Sequence, residues 1–148
     1  AGAQGWQMLE PFGCLEAVQG LAVDLVAESA ASEAIIAAHG SFKSPVPGAI
    51  AGRVAGMVAA QGRRAVCGFI DQEPRLADLQ GFGADAVCLP FFAAEGGHVV
   101  QDIPAALNEA GFQGRLLPAL GLDARVPGII AEAVREGRAV CAGACRWG

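Results

Sequence analysis

The sequence predicts an α/β domain of three layers, in which helices cover both faces of a parallel sheet of about four strands. Three observations lead to this prediction. Short apolar runs alternate with longer amphipathic stretches from residue 34 onward, as in chains built from repeated strand–helix units. The apolar runs are continuous, which is typical of strands that are buried on both faces. Prolines and glycines mark the starts and ends of the amphipathic stretches.

The predicted strands are the four apolar runs, which are too short for helices of ordinary length. They cover residues 34–38, 65–70, 86–92 and 115–119. Between and after them lie four stretches whose apolar residues recur every three or four positions, the spacing of a helix with one buried face. These predicted helices cover residues 46–61, 74–81, 99–110 and 126–136. Prolines in early turns and glycines just after the ends support these bounds: Pro47, Pro74, Pro104, Pro127, Gly62, Gly111 and Gly137.

The two ends of the chain stand outside this alternation. Residues 1–33 are predicted to be a helical extension, with a helix over 15–28 that either packs on the sheet or covers a neighbouring subunit. Residues 34–148 are predicted to be the α/β domain with a short tail. The tail is either a fifth strand or a frayed end.

Composition excludes several classes of function. The chain has a net charge of −5, and its ten lysines and arginines form no basic cluster, so we expect no nucleic-acid partner. Hydrophobic residues make up 53% of the chain, yet no apolar run approaches the roughly 20 residues of a membrane-spanning helix. The start has no pattern of a secretory signal. Five cysteines form no disulfide framework, so a reducing, cytoplasmic location is expected.

The two histidines each follow a predicted strand and lie beside glycines. His39 opens the sequence His39-Gly40-Ser41, and His98 follows Gly96 and Gly97. Ligands of open α/β sheets bind beyond the carboxyl ends of the strands, so both imidazoles are predicted to face one cleft that handles a metal ion. The alternative for His39 is a structural histidine that hydrogen-bonds its own loop.

Three carboxylates are candidate partners of the histidines. Asp102 lies four residues after His98, where it can orient the imidazole or simply favour the start of a helix. Asp71 and Glu73 follow the second strand. They are either metal ligands and proton acceptors or residues that cap the next helix.

Other common sites are not predicted. Cys141 and Cys145 supply too few ligands for a zinc or iron–sulfur site. The sequence also has neither a glycine-rich phosphate loop nor a nucleophile motif. We therefore expect no organic cofactor.

Several segments together closely resemble the small sirohydrochlorin chelatases. This CbiX-like group comprises the cobalt and iron chelatases of cobalamin and siroheme biosynthesis and is related to the class II ferrochelatases. The resemblance covers residues 34–136, and the pattern Gly-Gly-His-Val-x-x-Asp-Ile-Pro after an apolar strand is its most specific part. The matching segments are His39-Gly40-Ser41, Glu73-Pro74, Pro90-Phe91-Phe92, Gly96-Gly97-His98-Val99 and Asp102-Ile103-Pro104.

The resemblance implies a chelatase-like (flavodoxin-like) fold and a lyase-type enzyme that inserts a divalent metal ion into sirohydrochlorin. The metal is then a substrate, Co²⁺, Fe²⁺ or Ni²⁺, all of which suit imidazole ligands. A homodimer is also expected. The implied roles are metal binding and catalysis for His39 and His98, catalysis for Asp71, substrate binding for Ser41, Lys43, Gly96 and Gly97, and support of these groups for Asp102 and Glu73.

The sequence departs from the family pattern at two places. Phe42 and Lys43 stand where the family usually has an arginine and an aspartate, although Lys43 could replace one contact to a substrate carboxylate. Asp71 stands one position away from the usual glutamate at the end of the second strand. Two other functions therefore stay open, a metal carrier or sensor and a tetrapyrrole-binding domain without catalysis.

Overall fold

A computed structural model describes residues 5–143 and 145–147 of the chain. Residues 1–4 of the predicted extension, and residues 144 and 148 of the predicted tail, lie outside the described residues. Within them, no helix is long and apolar enough to cross a membrane.

Four parallel strands form the sheet, as predicted. They are β1 (Glu33–Ala38), β2 (Arg64–Phe69), β3 (Val87–Pro90) and β4 (Arg115–Leu116), in the order β2-β1-β3-β4. The inner strand β1 pairs with β2 along its whole length and with β3 from Ala34 to Ala37. Each residue from Ala34 to Ala38 is buried, which explains why this run is apolar throughout.

Helices cover both faces of the sheet, which confirms the three-layer prediction. They are α1 (Glu16–Glu28), α2 (Val46–Ala59), α3 (Ile103–Glu109) and α4 (Val126–Glu136). Side chains of a strand alternate between the two faces. Accordingly, Ala34 and Ile36 pack in one core with residues of α1, α2 and α4, whereas Ile35 and Ala37 pack in a second core with α3.

The helix of the N-terminal extension packs on the sheet rather than standing apart from it. α1 buries Val18, Leu21 and Val26 in the same core as β1 and α2. This was the first of the two alternatives for this helix. The division of the chain at residue 33 stays a prediction.

The predicted helix over 74–81 is wrong. The segment contains only one short 3-10 turn, Leu76–Asp78, and its backbone is extended at both sides of that turn. Leu76 is fully buried and Leu79 packs beside it in the second core. Leu76 and Leu79 therefore lie three residues apart because both side chains reach the sheet from an irregular segment, not because they share one face of a helix. Pro74 accordingly opens no helix.

Several predicted bounds were too long. β3 ends at Pro90 rather than residue 92, and β4 ends at Leu116 rather than residue 119. The ladder continues briefly, since the Leu117 N–H donates to the carbonyl of Cys88 at 2.9 Å. The next donor from β3 to the Leu117 carbonyl would be Pro90, which has no N–H, so the regular pairing ends there.

The tail pairs with the start of the described chain. Leu9 and Ala139 form an isolated antiparallel bridge, flanked by hydrogen bonds from Glu10 N–H to the Arg138 carbonyl and from Val140 N–H to the Met8 carbonyl. Of the two alternatives for the tail, this pairing is closer to the short extra strand. It is antiparallel and separate from the parallel sheet.

We predict that Gly121→Ala destabilises the protein by about 1–3 kcal/mol, because an overpacked core must shift. A Cβ on Gly121 would overlap the backbone carbonyl of Ala93, in the loop that leads to His98. Urea unfolding measures the change. Gly52→Ala in α2 is the matched control, since nothing lies within 4 Å of its added Cβ, and it should be neutral or slightly stabilising. Equal stability of the Gly121→Ala variant and the parent would contradict the prediction.

Candidate metal and tetrapyrrole site

His39 stands one residue beyond the end of β1. The strand ladder continues past it, because the Asp71 N–H donates to the His39 carbonyl at 2.9 Å. This hydrogen bond places Asp71 beside His39 at the carboxyl edge of the sheet. The side chains of both residues are about half exposed, 44% and 47%, so an incoming ligand can reach them.

His98 begins the first turn of the helical segment after β3. This turn, His98–Asp102, is a π-helical turn in which the Ile103 N–H donates to the His98 carbonyl. Such turns are rare and often occur at functional sites. The imidazole Nδ1 lies 2.7 Å from Asp102 Oδ2. The predicted pairing of these two side chains is therefore present in the structure.

The two imidazoles come together, although they belong to different strands. Their ring centroids are 4.5 Å apart and their planes are nearly perpendicular, at 84°. Two imidazoles bound to one ion with a nitrogen–metal–nitrogen angle of about 90° would have their centres about 4.6 Å apart, given metal–nitrogen bonds of about 2.1 Å. The observed spacing therefore permits both rings to bind the same ion.

Hydrogen bonds leave one nitrogen of each ring available to a ligand. His39 Nδ1 lies 3.0 Å from the Gly40 carbonyl oxygen, and His98 Nδ1 lies 2.7 Å from Asp102 Oδ2. Both partners can only accept, so a proton on Nδ1 finds an acceptor in each ring. The neutral rings then carry a lone pair on Nε2, which is the form that binds a metal ion.

Asp71 faces the available nitrogen of His39. Its Oδ2 lies 3.4 Å from His39 Nε2, which is long for a charge-assisted hydrogen bond. Two donor atoms on one ion, each about 2.1 Å from it, lie about 3.0 Å apart at a right angle and about 3.4 Å apart at a tetrahedral angle. The pair is therefore spaced as two ligands of one ion would be.

Ser41 and Glu73, also predicted site residues, satisfy backbone groups of their own loops. The Ser41 hydroxyl oxygen accepts from the N–H groups of Lys43 and Ser44 at 3.1 and 3.2 Å. The Glu73 carboxylate accepts from the Arg75 N–H at 3.2 Å. No helix begins here for Glu73 to cap, and the 3-10 turn Leu76–Asp78 has no side-chain cap. The roles predicted for both residues toward metal and substrate stay predictions.

Gly96 and Gly97 are exposed and precede His98 directly. An added Cβ on either glycine would have nothing within 4 Å. Neither residue has a positive φ. The protein itself therefore does not require glycine here, and the role of this pair in binding the substrate stays a prediction.

Gln72 is a site residue that the sequence did not reveal. Its Oε1 accepts from the Ser41 N–H at 2.9 Å, so this N–H is already used. The Gln72 side chain also fills the space where a Cβ of Gly40 or Gly48 would stand. An uncharged amide in a loop gives no pattern in a sequence.

Two basic side chains near the site have no ion-pair partner among the described residues. Lys43 is exposed in the loop after His39, and Arg75 is exposed in the loop after β2. Each of the other arginines in the described part of the chain makes a side-chain hydrogen bond or ion pair. Lys43 was predicted as a site residue, whereas Arg75 was not.

An open cleft of about 420 Å³ adjoins His39. Its walls come from four places: the segment before α1, the end of β1, the first turns of α2 and the loop after β3. The lining is apolar apart from His39 and Cys14, and it includes Phe12, Ile50, Phe91 and Phe92. Such a cleft suits a flat, largely apolar ligand.

Cys14 is the one thiol that lines this cleft, and it is poorly suited to bind a metal ion. Burial, followed by the nearby Cys145, Glu10 and Cys141, raises the pKa of its thiol. The thiolate is the form that binds metals. Within the described residues, no three histidine, cysteine, aspartate or glutamate side chains are placed to hold one metal ion together. The histidine pair is thus an open site.

The sequence and the fold match proteins of one family. The sequence profile of the CbiX family matches residues 33–137. Among solved structures, the chain is similar to CbiX, described as the terminal enzyme for biosynthesis of siroheme in denitrifying bacteria, with 38% sequence identity and a TM-score of 0.84. No curated protein matches the chain.

The match covers 91% of this chain but only 64% of the CbiX chain. Residues 34–148 alone could not supply 91% of the sequence, so the similarity reaches into the first 33 residues. The family profile alone covers well over half of the sequence. The chain therefore belongs to the CbiX family.

Proposed function

We propose that this protein is a sirohydrochlorin chelatase that inserts Co²⁺ or Fe²⁺ into the macrocycle. One observation carries the proposal. The rings of His39 and His98 lie 4.5 Å apart, and the nitrogen of His39 that is available to a ligand faces Asp71. Membership of the CbiX family supports the same activity.

The metal ion is the first substrate. Nε2 of His39 and of His98 would hold it at the open edge of the sheet, beside the Asp71 carboxylate. Imidazole nitrogen suits Co²⁺, Fe²⁺ and Ni²⁺. Because the protein supplies few ligands, coordination positions stay open for water and later for pyrrole nitrogens, as transfer of the ion requires.

The macrocycle is the second substrate. The apolar cleft beside His39 would accept part of its flat face, and the exposed Gly96 and Gly97 allow its close approach. Lys43 and Arg75 are the basic side chains that would bind its carboxylates.

Insertion releases two protons from the pyrrole N–H groups for each metal ion bound. Asp71 is the proposed first acceptor, because its carboxylate lies beside the nitrogen that holds the ion. As the ion leaves for the macrocycle, the Nε2 atoms of the histidines become available for protons. The homodimer and the cytoplasmic location stay predictions.

His39→Ala and His98→Ala are expected to reduce metal insertion to the protein-free rate, because each removes one of the two imidazoles. Absorption spectra of sirohydrochlorin with Co²⁺ or Fe²⁺ measure the rate for each metal. Asn108→Ala, an exposed change on α3, is the control.

Two results would contradict the proposed activity. An insertion rate for the parent protein equal to the protein-free rate, together with Co²⁺ binding, would indicate a carrier or sensor. Macrocycle binding that does not depend on either histidine would indicate a binding domain without catalysis.

Asp102→Ala is expected to weaken Co²⁺ binding by about 10- to 100-fold, as loss of a carboxylate that orients a metal-binding histidine does. Titration calorimetry measures the affinity. Glu109→Ala removes a carboxylate further along the same helical segment and should leave the affinity unchanged. An unchanged affinity in Asp102→Ala would show that the Asp102–His98 hydrogen bond does not support metal binding.

Lys43→Ala and Arg75→Ala are each expected to raise the KM for sirohydrochlorin about tenfold, because a hydrogen bond to a charged group contributes about 1.5 kcal/mol. The kcat should stay the same, since these contacts bind the substrate without touching its pyrrole nitrogens. Arg135→Ala on α4 removes a distant charge and serves as the control. A fall in kcat at constant KM would argue against this role.

A further inference from the structure

Gln72 lies in a slot between two glycines. An added Cβ on Gly40 would stand 2.9 Å from its Cγ, and one on Gly48 would overlap its Nε2. Its Oε1 accepts from the Ser41 N–H at 2.9 Å. Gln72 therefore joins the loop after β2 to the loop after β1 and to the first turn of α2.

The hydrogen bond from Ser41 acts on the same peptide group that His39 uses. The Ser41 N–H and the Gly40 carbonyl belong to one planar unit, and they point in opposite directions. Gln72 Oε1 accepts from one end of this unit, while the carbonyl at the other end accepts from His39 Nδ1–H at 3.0 Å. The orientation of the peptide thus links the amide of Gln72 to the imidazole.

Glycine makes this peptide easy to rotate. Gly40 has a φ of +77°, a region that glycine enters without steric cost, and it can leave that region as readily. Without Gln72, the Ser41 N–H loses its acceptor, and the Gly40 carbonyl loses the contact that fixes its direction through this peptide. His39 Nδ1 would then lose its acceptor.

A competing acceptor stands on the other side of the ring. Asp71 Oδ2 lies 3.4 Å from His39 Nε2. A proton on Nε2 could donate to this carboxylate, and that tautomer has no lone pair with which Nε2 could bind a metal ion. The proton of His39 therefore has two possible positions, each with an acceptor beside it.

We propose that Gln72 is a positioning residue that keeps the proton of His39 on Nδ1 by fixing the Gly40–Ser41 peptide. His98 needs no such device, because the Asp102 carboxylate accepts directly from its Nδ1. The inference rests on the proposed function only in that the Nε2 lone pair is the one that would bind the metal substrate.

The tautomers can be measured directly because the chain has only two histidines. Protein labelled with ¹⁵N-histidine gives four ring-nitrogen signals, and His98→Ala assigns them. Spectra are recorded at about pH 9, where imidazole is neutral. The parent protein should show the proton on Nδ1 in both rings. A proton on Nε2 of His39 in the parent would overturn the proposal.

Gln72→Leu keeps the size of the side chain and removes the acceptor, whereas Gln72→Glu keeps an oxygen in its place. In Gln72→Leu we expect the His39 signals to move toward the Nε2–H form, while the His98 signals stay unchanged. Gln72→Glu should retain the parent pattern. Gln72→Met replaces Gln72→Leu if the latter does not fold.

The affinity for Co²⁺ provides the second readout. It should fall about tenfold in Gln72→Leu, the lower range for loss of a group that orients a metal-binding histidine, and recover in Gln72→Glu. Unchanged His39 signals in the folded apolar variant, or equal changes at both histidines, would overturn the proposal. The spectra need no tetrapyrrole, so a failed chelatase assay and a failed tautomer test remain distinct results.

Discussion

The hydrogen-bonded ladder around β1 is the constraint on which the site depends. β1 is paired on both edges and buried on both faces, so its end has little freedom to move. The ladder extends past the strands, through bonds from Asp71 N–H to the His39 carbonyl and from Phe91 N–H to the Ala37 carbonyl. Three loops therefore leave the sheet from fixed, neighbouring points. Polar side chains at those points meet because the backbone beneath them is held.

The sequence predicts the structure well where a single physical cause determines the pattern of residues. Burial on both faces makes β1 continuously apolar, and the change to His39 and Gly40 marks its end. The four-residue interval between His98 and Asp102 also allows their contact. These features could be found because each one depends on residues that are close in the sequence.

Features that depend on distant contacts could not be found in this way. Leu76 and Leu79 have a helix-like spacing, but the sheet beneath them holds them in an irregular segment. The slot that holds Gln72 is formed by two glycines that stand 24 and 32 positions earlier in the sequence. Neither interval corresponds to a recognisable sequence pattern. The ladder that joins Leu9 to Ala139 spans almost the whole chain.

Charge pairing near the chain ends supports a wall of the cleft. The Glu10 side chain is only 2% exposed, and its carboxylate lies 2.9 Å from Arg146 and 3.4 Å from Arg138. A buried carboxylate requires such partners. Trp147 adds a hydrogen bond from its indole N–H to the Cys14 carbonyl at 2.9 Å. The last residues thus secure the segment Phe12–Cys14, which lines the cleft far from them in sequence.

The slot that holds Gln72 has a consequence for how the sequence can change over time. A larger residue at position 48 would need a smaller one at position 72, and one at position 40 would also strain a backbone with a φ of +77°. A smaller residue at 72 would leave a gap beside both glycines. Any single substitution at one of these three positions therefore produces a less fit protein. Such positions should be exchanged as a set, so that lineages of this fold either keep the whole arrangement or replace it with another.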